Sequence, residues 1–515
     1  MDKKVLRNPV FISSSIFLVS VVLIGIMMPA AFGKVVSQLF DFTTENFGWF
    51  YLLSVFIIII FLIGLAISKY GSIRLGEDGQ TPDFPFFTWI GMLFSAGFGA
   101  GLVFWGVAEP MSHFFTTPFA GIEPQSEVAA RLAMGYSFFH WGMSQWSLFA
   151  MVGLVIGFLQ FRKKKNGLIS TALEPVLGKR PSLKHTVDSF AVISTVMGVA
   201  TSVGLGVLQT NGGLHAVFDV NHTVTTQMII IGVILVAYML SSTTGLQKGI
   251  RYLSNLNLGL ALGLLLFTFI AGPTVFILES FTLGIGDYIT NFIQYSLRLE
   301  PYKEGTWVRD WTIFYWAWAI AWSPFVGAFV ARVSRGRTIR EYIFGVMVVP
   351  PLIACLWIAV FGGTALWNDL HRDAQIAEAV NEDLTLALFQ TFAHLPFTTF
   401  LSIVALLLIF TFLVTSADSA TYILASMTAK GSLHPPLFTK VVWGALVSLV
   451  AAVLLFTGGL EALQTASLIS ALPFTVVLLL LLVAIVKLLN KEMPPIKKEE
   501  LKRFKKMEKA VRKDE

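Results

Sequence analysis

Residues 84–108 read Phe84-Pro-Phe-Phe-Thr-Trp-Ile-Gly-Met-Leu-Phe-Ser95-Ala-Gly97-Phe98-Gly99-Ala-Gly101-Leu-Val-Phe-Trp-Gly-Val-Ala108, without one charged side chain. A helix of roughly 20 apolar residues crosses the hydrocarbon core of a bilayer. A continuous apolar run of this length is not a barrel strand, which alternates and is about half as long. The centre of the run is unusual. Glycine costs roughly 1 kcal/mol in a helix relative to alanine, and Gly97, Gly99 and Gly101 fall together at mid-span. The segment therefore predicts a membrane helix that unwinds, or packs very closely, at its middle.

The same pattern extends along the chain. Charge-free stretches run 8–33, 46–68, 84–108, 132–161, 189–218, 220–247, 252–278, 311–331, 342–368, 384–417, 441–460 and 462–486, giving twelve candidate helices. Of 515 residues, 55% are hydrophobic and only 13% charged, and mean hydropathy is +0.73. A soluble protein carries about a quarter charged residues, so this composition specifies an all-α polytopic membrane protein. The single cysteine, Cys355, excludes an intramolecular disulfide, a cysteine metal cluster and a redox pair.

Charge sets the orientation. All but six of the 37 Lys and Arg residues fall at the two termini and on alternate loops, including Arg162-Lys163-Lys164-Lys165 and Arg332 to Arg340. The six on the other face are Lys34, Arg131, Arg298, Lys303, Arg309 and Arg372. The positive-inside rule then places both termini in the cytoplasm, as an even span count requires. The first segment resembles a signal peptide at Ala30-Ala31, but its apolar run is too long for one, and it reads as an uncleaved helix. Residues 279–310 read as an external amphipathic segment, and 369–395 as an acidic external loop that includes a helix. The tail from Lys491 is basic and helix-prone. It is a solvated topogenic tail or a helix lying on anionic lipid, so the pI of about 9.2 speaks of a membrane surface and not of nucleic acid.

A second break is expected at Trp322-Ser323-Pro324, since proline removes an i−4 hydrogen bond. Five spans separate it from the glycine break, which divides the chain into helices 3–7 and 8–12, each group opening with an interrupted helix. That is the pointer to an inverted-repeat transporter with a midplane site. Aromatics gather at the same places. Trp311, Tyr315, Trp318 and Trp322 follow 4, 3 and 4 spacing and share one helix face, with Trp316 pointing elsewhere. Phe138-Phe139-His140-Trp141 with Trp146 and Phe149 supplies a second patch. Tryptophans also gather at membrane interfaces, but beside a helix break they suit an aromatic box for a cation poor in hydrogen-bond donors. Thr415-Ser416-Ala417-Asp418-Ser419-Ala420-Thr421 offers hydroxyls, either for helix packing or as hard oxygen ligands for Na+. Asp418 is costly inside a span and functional by default, or else a helix-to-helix hydrogen bond. His140 reads as a satisfied packing histidine rather than a proton relay.

These residues resemble a known family. Trp311 through Gly327, with the Trp-Ala-Trp-Ala-Ile-Ala-Trp-Ser-Pro core, then Arg332-Val-Ser-Arg-Gly-Arg-Thr-Ile-Arg-Glu341, is similar to the signature of the betaine/carnitine/choline transporters. Gly97–Gly101 with Glu109-Pro110, Phe139-His140-Trp141 and Thr415–Ser419 fall in that family's order. The likeness covers about residues 10–490 and is greatest to Gram-positive glycine betaine carriers. It implies a LeuT-like core of two inverted five-helix repeats, usually assembled as a homotrimer. Residues 1–83 would then hold the N-terminus and two peripheral helices, 84–300 the first repeat, 301–490 the second and 491–515 the cytoplasmic tail. It implies a substrate cage of Trp141, Trp146, Phe149 and the Ala319 position beside Trp318 and Trp322, with Gly97, Gly99 and Gly101 binding the carboxylate. One Na+ site would use Thr415 and Ser416 with carbonyls of Ser95, Phe98 and Phe412. A second, weaker one would lie near Thr195, Ser202 and Phe325. The chain departs from the pattern by Phe149 for Tyr, Ala319 for Trp and Val199 for Thr. Gly101 also stands where some choline carriers have an acid. Ala319 removes a wall and favours a bulkier solute, such as ectoine or proline betaine.

No Walker motif is present for pumping, no charged ring for a channel, and no clustered histidines or acids for an intramembrane enzyme. A secondary transporter needing no cofactor remains, with Na+ as the coupling ion. Accumulating a solute 1,000-fold costs about 4.1 kcal/mol. One Na+ entering down about 100 mV supplies about 2.3 kcal/mol, and a tenfold gradient about 1.4 more. One ion is marginal and two are ample, which favours symport over sodium-independent exchange. The expectation is a plasma-membrane importer of compatible solutes for osmoprotection. An osmosensing role for the tail is open to test by deleting 491–515.

Overall fold

The computed structural model describes residues 7–97, 99–243, 247–302 and 305–492. Among these the chain is helical, and the β-pairing is one isolated bridge, Arg74 to Thr338. The main helices are α1 (Pro9–Met27), α2 (Pro29–Ile67), α3 (Phe86–Gly97), α4 (Ala100–Phe115), α5 (Glu127–His140), α6 (Met143–Gly157) and α7 (Pro181–Phe218). There follow α8 (Val224–Thr243), α9 (Gln247–Ala271), α10 (Thr274–Ser296), α11 (Phe314–Val333), α12 (Ile339–Arg372), α13 (Thr398–Thr428) and α14 (Leu437–Leu489).

Ten stretches among the described residues are long and apolar enough to cross a bilayer. Two differences separate them from the twelve charge-free segments. Residues 84–108 divide into α3 and α4, each too short alone, where the glycines were expected to break the helix. Segments 441–460 and 462–486 run together as the 53-residue α14, whose backbone leaves helical geometry at Gly459 (φ 57°, ψ −132°).

Burial sorts the helices by role. The apolar windows of α5–α6 and of α7 are 94% buried and that of α11 is 89% buried, against 33% for α1, 28% for α8 and 22% for α9. The first group forms the centre, with α14 packed along α7 and α11. The second presents Ile229, Val233, Val236 and Ile270 outward, as suits helices solvated by lipid tails.

The expected break in the eighth span is absent: α11 runs unbroken through Pro324. Proline frees the carbonyl four residues earlier, that of Ile320. The Ser323 hydroxyl donates to that same carbonyl at 2.7 Å, so the freed group is not left unpaired. The irregularity of this span lies earlier, in a π-turn at Arg309–Ile313. A break that the sequence did not announce lies instead between α5 and α6. Trp141 and Gly142 leave the helix there, and the Tyr288 hydroxyl of α10 accepts a hydrogen bond from the Met143 amide at 2.8 Å. A Cβ on Gly142 would sit 2.5 Å from that hydroxyl, so only glycine admits this cap.

The segment expected to be external over 279–310 contains most of α10, tied to α5 by Arg131 and Asp287 at 2.7 Å. The acidic stretch 369–395 carries two short helices, Ile376–Glu382 and Ala387–Ala393. At the far end of α14, Glu492 pairs with Arg162 at 2.6 Å and with Lys163. Burial raises its pKa, but the two cations outweigh this and hold the carboxyl below its ordinary range. The basic tail beyond residue 492 lies outside the described residues.

Candidate functional site

Five elements that the sequence keeps far apart converge on one buried cavity. α4 contributes its N-terminus, Gly99 to Leu102. The α5–α6 break contributes Trp141 and Gln145, and α7 contributes Val199, Ser202 and Val203. α11 adds Trp318, Ala319, Trp322 and Phe325, and α13 closes the space with Leu413, Ser416 and Ala417. The free space holds about one water molecule, so a larger occupant enters only as these walls move apart.

The aromatic stripe on α11 is realised as one row. Trp311 stacks on Tyr315 at 6.5 Å, Tyr315 meets Trp318 at 6.3 Å, and Trp318 meets Trp322 at 6.2 Å. Trp141 stands edge-on to Trp318 at 6.1 Å and to Tyr315 at 5.8 Å. Phe149 lies behind Trp322 at 6.3 Å, and Trp146 behind Phe149 at 5.5 Å. These two therefore buttress the wall and do not line the cavity. Ala319 does line it, 1% exposed. Trp318 leans across toward α4, where a Cβ on Gly101 would lie 2.6 Å from its ring. A side chain at position 101 would have to displace that ring.

The other expected residues divide. Ser95 and Gly97 end α3, Gly99 is the N-cap of α4 without a side-chain capping bond, and Phe98 lies outside the described residues. The α4 amides thus open toward the cavity at the positive end of a helix dipole. Ser416 Oγ is 3.8 Å from where a Cβ on Gly99 would sit. Thr415 is turned aside: its hydroxyl donates to the carbonyls of Thr411 (3.0 Å) and Phe412 (3.1 Å) and accepts from Asn257 at 3.1 Å. Ser202 and Phe325 line the cavity, where Ser202 accepts from the Trp318 indole at 3.2 Å. Thr195, fully buried, donates to the Ala191 carbonyl at 2.7 Å and is not a lining residue.

Glu109 closes the third charge-free run and stands beside Pro110 in the family motif, and neither reading gave it a role. It is the hub of a polar cluster with no exposure to solvent. Its carboxylate accepts from the Trp141 indole at 2.9 Å and from the Tyr315 hydroxyl, and it lies 2.6 Å from His140 Nδ1 and 3.3 Å from His113 Nε2. His140 Nε2 meets Thr312 at 2.9 Å, so both its nitrogens are partnered and it is a packing histidine, as expected. Glu109, His113 and His140 bring ligand atoms within 4.8 Å of one another. The donors of Trp141 and Tyr315 also occupy the carboxylate, however, and make this a hydrogen-bonded hub rather than a cation site. The signal for it was Glu109 four residues before His113, on one helix face. Asp418 accepts from Ser241 of α8 at 3.0 Å, the helix-to-helix role named above. Gln145 had no signal beyond its place between Trp141 and Trp146.

A cavity held among the most enclosed helices of a membrane-spanning bundle, bounded by two helix breaks, is the plan of a membrane transporter. The chain belongs to the betaine/carnitine/choline family of transporters (BCCT), whose profile matches residues 9–494; it is not an enzyme. It is 64% identical over 491 residues to the ectoine/hydroxyectoine transporter of Virgibacillus pantothenticus, covering 95% of this chain and 98% of that one. It is 46% identical to the glycine betaine transporter of Bacillus subtilis (strain 168), over 93% of this chain and 94% of that one. To the high-affinity choline transport protein of Escherichia coli (strain K12) it is 37% identical, over 89% of this chain and 68% of the relative.

Proposed function

We propose that this transporter imports a compatible solute, ectoine or a related zwitterion such as glycine betaine or proline betaine, in symport with Na+ across the plasma membrane. One observation carries the reading. The cavity brings the N-terminal amides of α4 together with the rings of Trp141, Trp318 and Trp322. An anion is favoured at a helix N-terminus by about 0.3–1 kcal/mol or more, and each aromatic wall adds about 0.5–2 kcal/mol for a cation. An anion-favouring helix end and cation-favouring rings on one small cavity suit a zwitterion better than a free cation or anion.

The choice among zwitterions turns on Ala319. With no ring there, the cage lacks a wall against a trimethylammonium group, and once its walls move apart it leaves more room for a cyclic solute. The 64% identical relative, named for ectoine and hydroxyectoine, weighs the same way. Sodium coupling draws support from Ser416 beside the α4 N-cap and from the energy balance above. The second ion position is weaker, because Ser202 is engaged by Trp318 and Val199 offers no oxygen. Twelve spans would follow from counting α3–α4 as one crossing and dividing α14 at Gly459. Two inverted repeats and a homotrimer rest on the resemblance alone.

The test is uptake of labelled ectoine and labelled glycine betaine into cells lacking their own carriers, with external Na+ and then K+. Ectoine uptake that needs Na+ is expected. Uptake equal in the two salts would sink the coupling, and failure to take up either solute would sink the reading of the cavity.

A further inference from the structure

Gln145 is an unexplained polar group of the cavity. It occupies the third position of α6, where a glutamine often turns back to bond the N-cap amide. Here it makes no such bond: it lines the cavity, 5% exposed, and its Oε1 has no hydrogen-bond partner. A buried acceptor left unpaired destabilises a fold, so one carried by a side chain that lines a ligand cavity is best explained by a ligand donor that reaches it. The Trp322 indole N–H, on another wall of the same cavity, is likewise unpaired.

The geometry points to Gln145 as the residue that selects the chemistry of the solute's cation. This inference rests on the reading of the cavity as the solute site. A quaternary ammonium has no N–H, so a trimethylammonium solute would seal Gln145 Oε1 away from water without giving it a donor. A cyclic amidinium carries two ring N–H groups and can donate one to Oε1 while its ring uses the space beside Ala319. A site that holds a hydrogen-bonding group rejects analogues lacking the partner far more strongly than a merely apolar pocket does. Gln145 and Ala319 thus favour the same class of solute, one by bonding and the other by shape.

The test uses the purified full-length protein, reading tryptophan fluorescence as ectoine or glycine betaine is added. Gln145→Met keeps the length of the side chain and removes its polar end. It is expected to weaken ectoine binding about 10-fold to 100-fold, the loss of one hydrogen bond to a charged group, with betaine changed less than about threefold. Gln145→Glu keeps the acceptor and is expected to retain ectoine. Equal weakening of both solutes in Gln145→Met, or none, overturns the assignment, as does equal loss of ectoine in the Met and Glu variants. Binding of neither solute by the unaltered protein overturns the cavity reading itself, and with it this proposal.

Discussion

Ala319 and Glu109 show how differently two buried side chains can matter. Ala319 has 1% exposure and no polar group, so its role is the space it leaves. Ala319→Trp places a ring where a cyclic solute would lie. Ectoine binding is expected to fall at least about tenfold, or about 1.4 kcal/mol, and betaine binding to fall less, as measured by competition. Glu109 acts through contacts. Removing one partner of a buried charged network costs about 3–5 kcal/mol, so Glu109→Ala is expected to lower the unfolding temperature in detergent and abolish uptake. Glu109→Gln keeps one acceptor and should cost about 1–3 kcal/mol. Uptake left intact by Glu109→Ala would show that Trp141 needs no anchor. Neither role was fully legible in the sequence. The gap at Ala319 was visible because the chain departs there from the pattern of the family it resembles. The hub at Glu109 was hidden because its partners Trp141, His140 and Tyr315 are distant in the chain.

Among elements, breaks were legible where they rest on backbone chemistry and hidden where they rest on a partner. Three glycines announced either unwinding or close packing, and the α3–α4 interruption is the first of these. Proline announced one in α11 that does not occur, since the Ser323 hydroxyl satisfies the Ile320 carbonyl. The α5–α6 interruption depends on Tyr288, whose helix begins more than a hundred residues later, and a single Gly142 is too weak a mark. Tyr288→Phe tests that dependence. The Met143 amide would lose its acceptor, at a cost of about 1–3 kcal/mol, and Trp141 would no longer be fixed. A fall in thermal stability with weakened solute binding is expected. An unchanged binding constant would mean that the break holds without its cap.

For the whole molecule, composition and charge-free lengths were enough to establish a polytopic helical bundle, because lipid leaves so few solutions. Which helices form its centre was not readable, since apolar faces look alike whether they meet lipid or protein. The proposed orientation is open to direct test. Single cysteines placed at Lys164 and at Asp373, with Cys355 replaced, should label from opposite sides of intact cells, Asp373 from outside. Labelling of both from one side would reverse the proposed topology.

The relieved proline has a mechanical consequence. α11 is continuous through Pro324 and carries its aromatic row from the Glu109 hub at one end of the row to the solute cavity at the other. Displacement at the hub is therefore passed to the cavity as by a lever, while the joints belong to the split helices α3–α4 and α5–α6. Distances between spin labels at the two ends of α11 should stay constant when solute is added, and those between α11 and α4 should change.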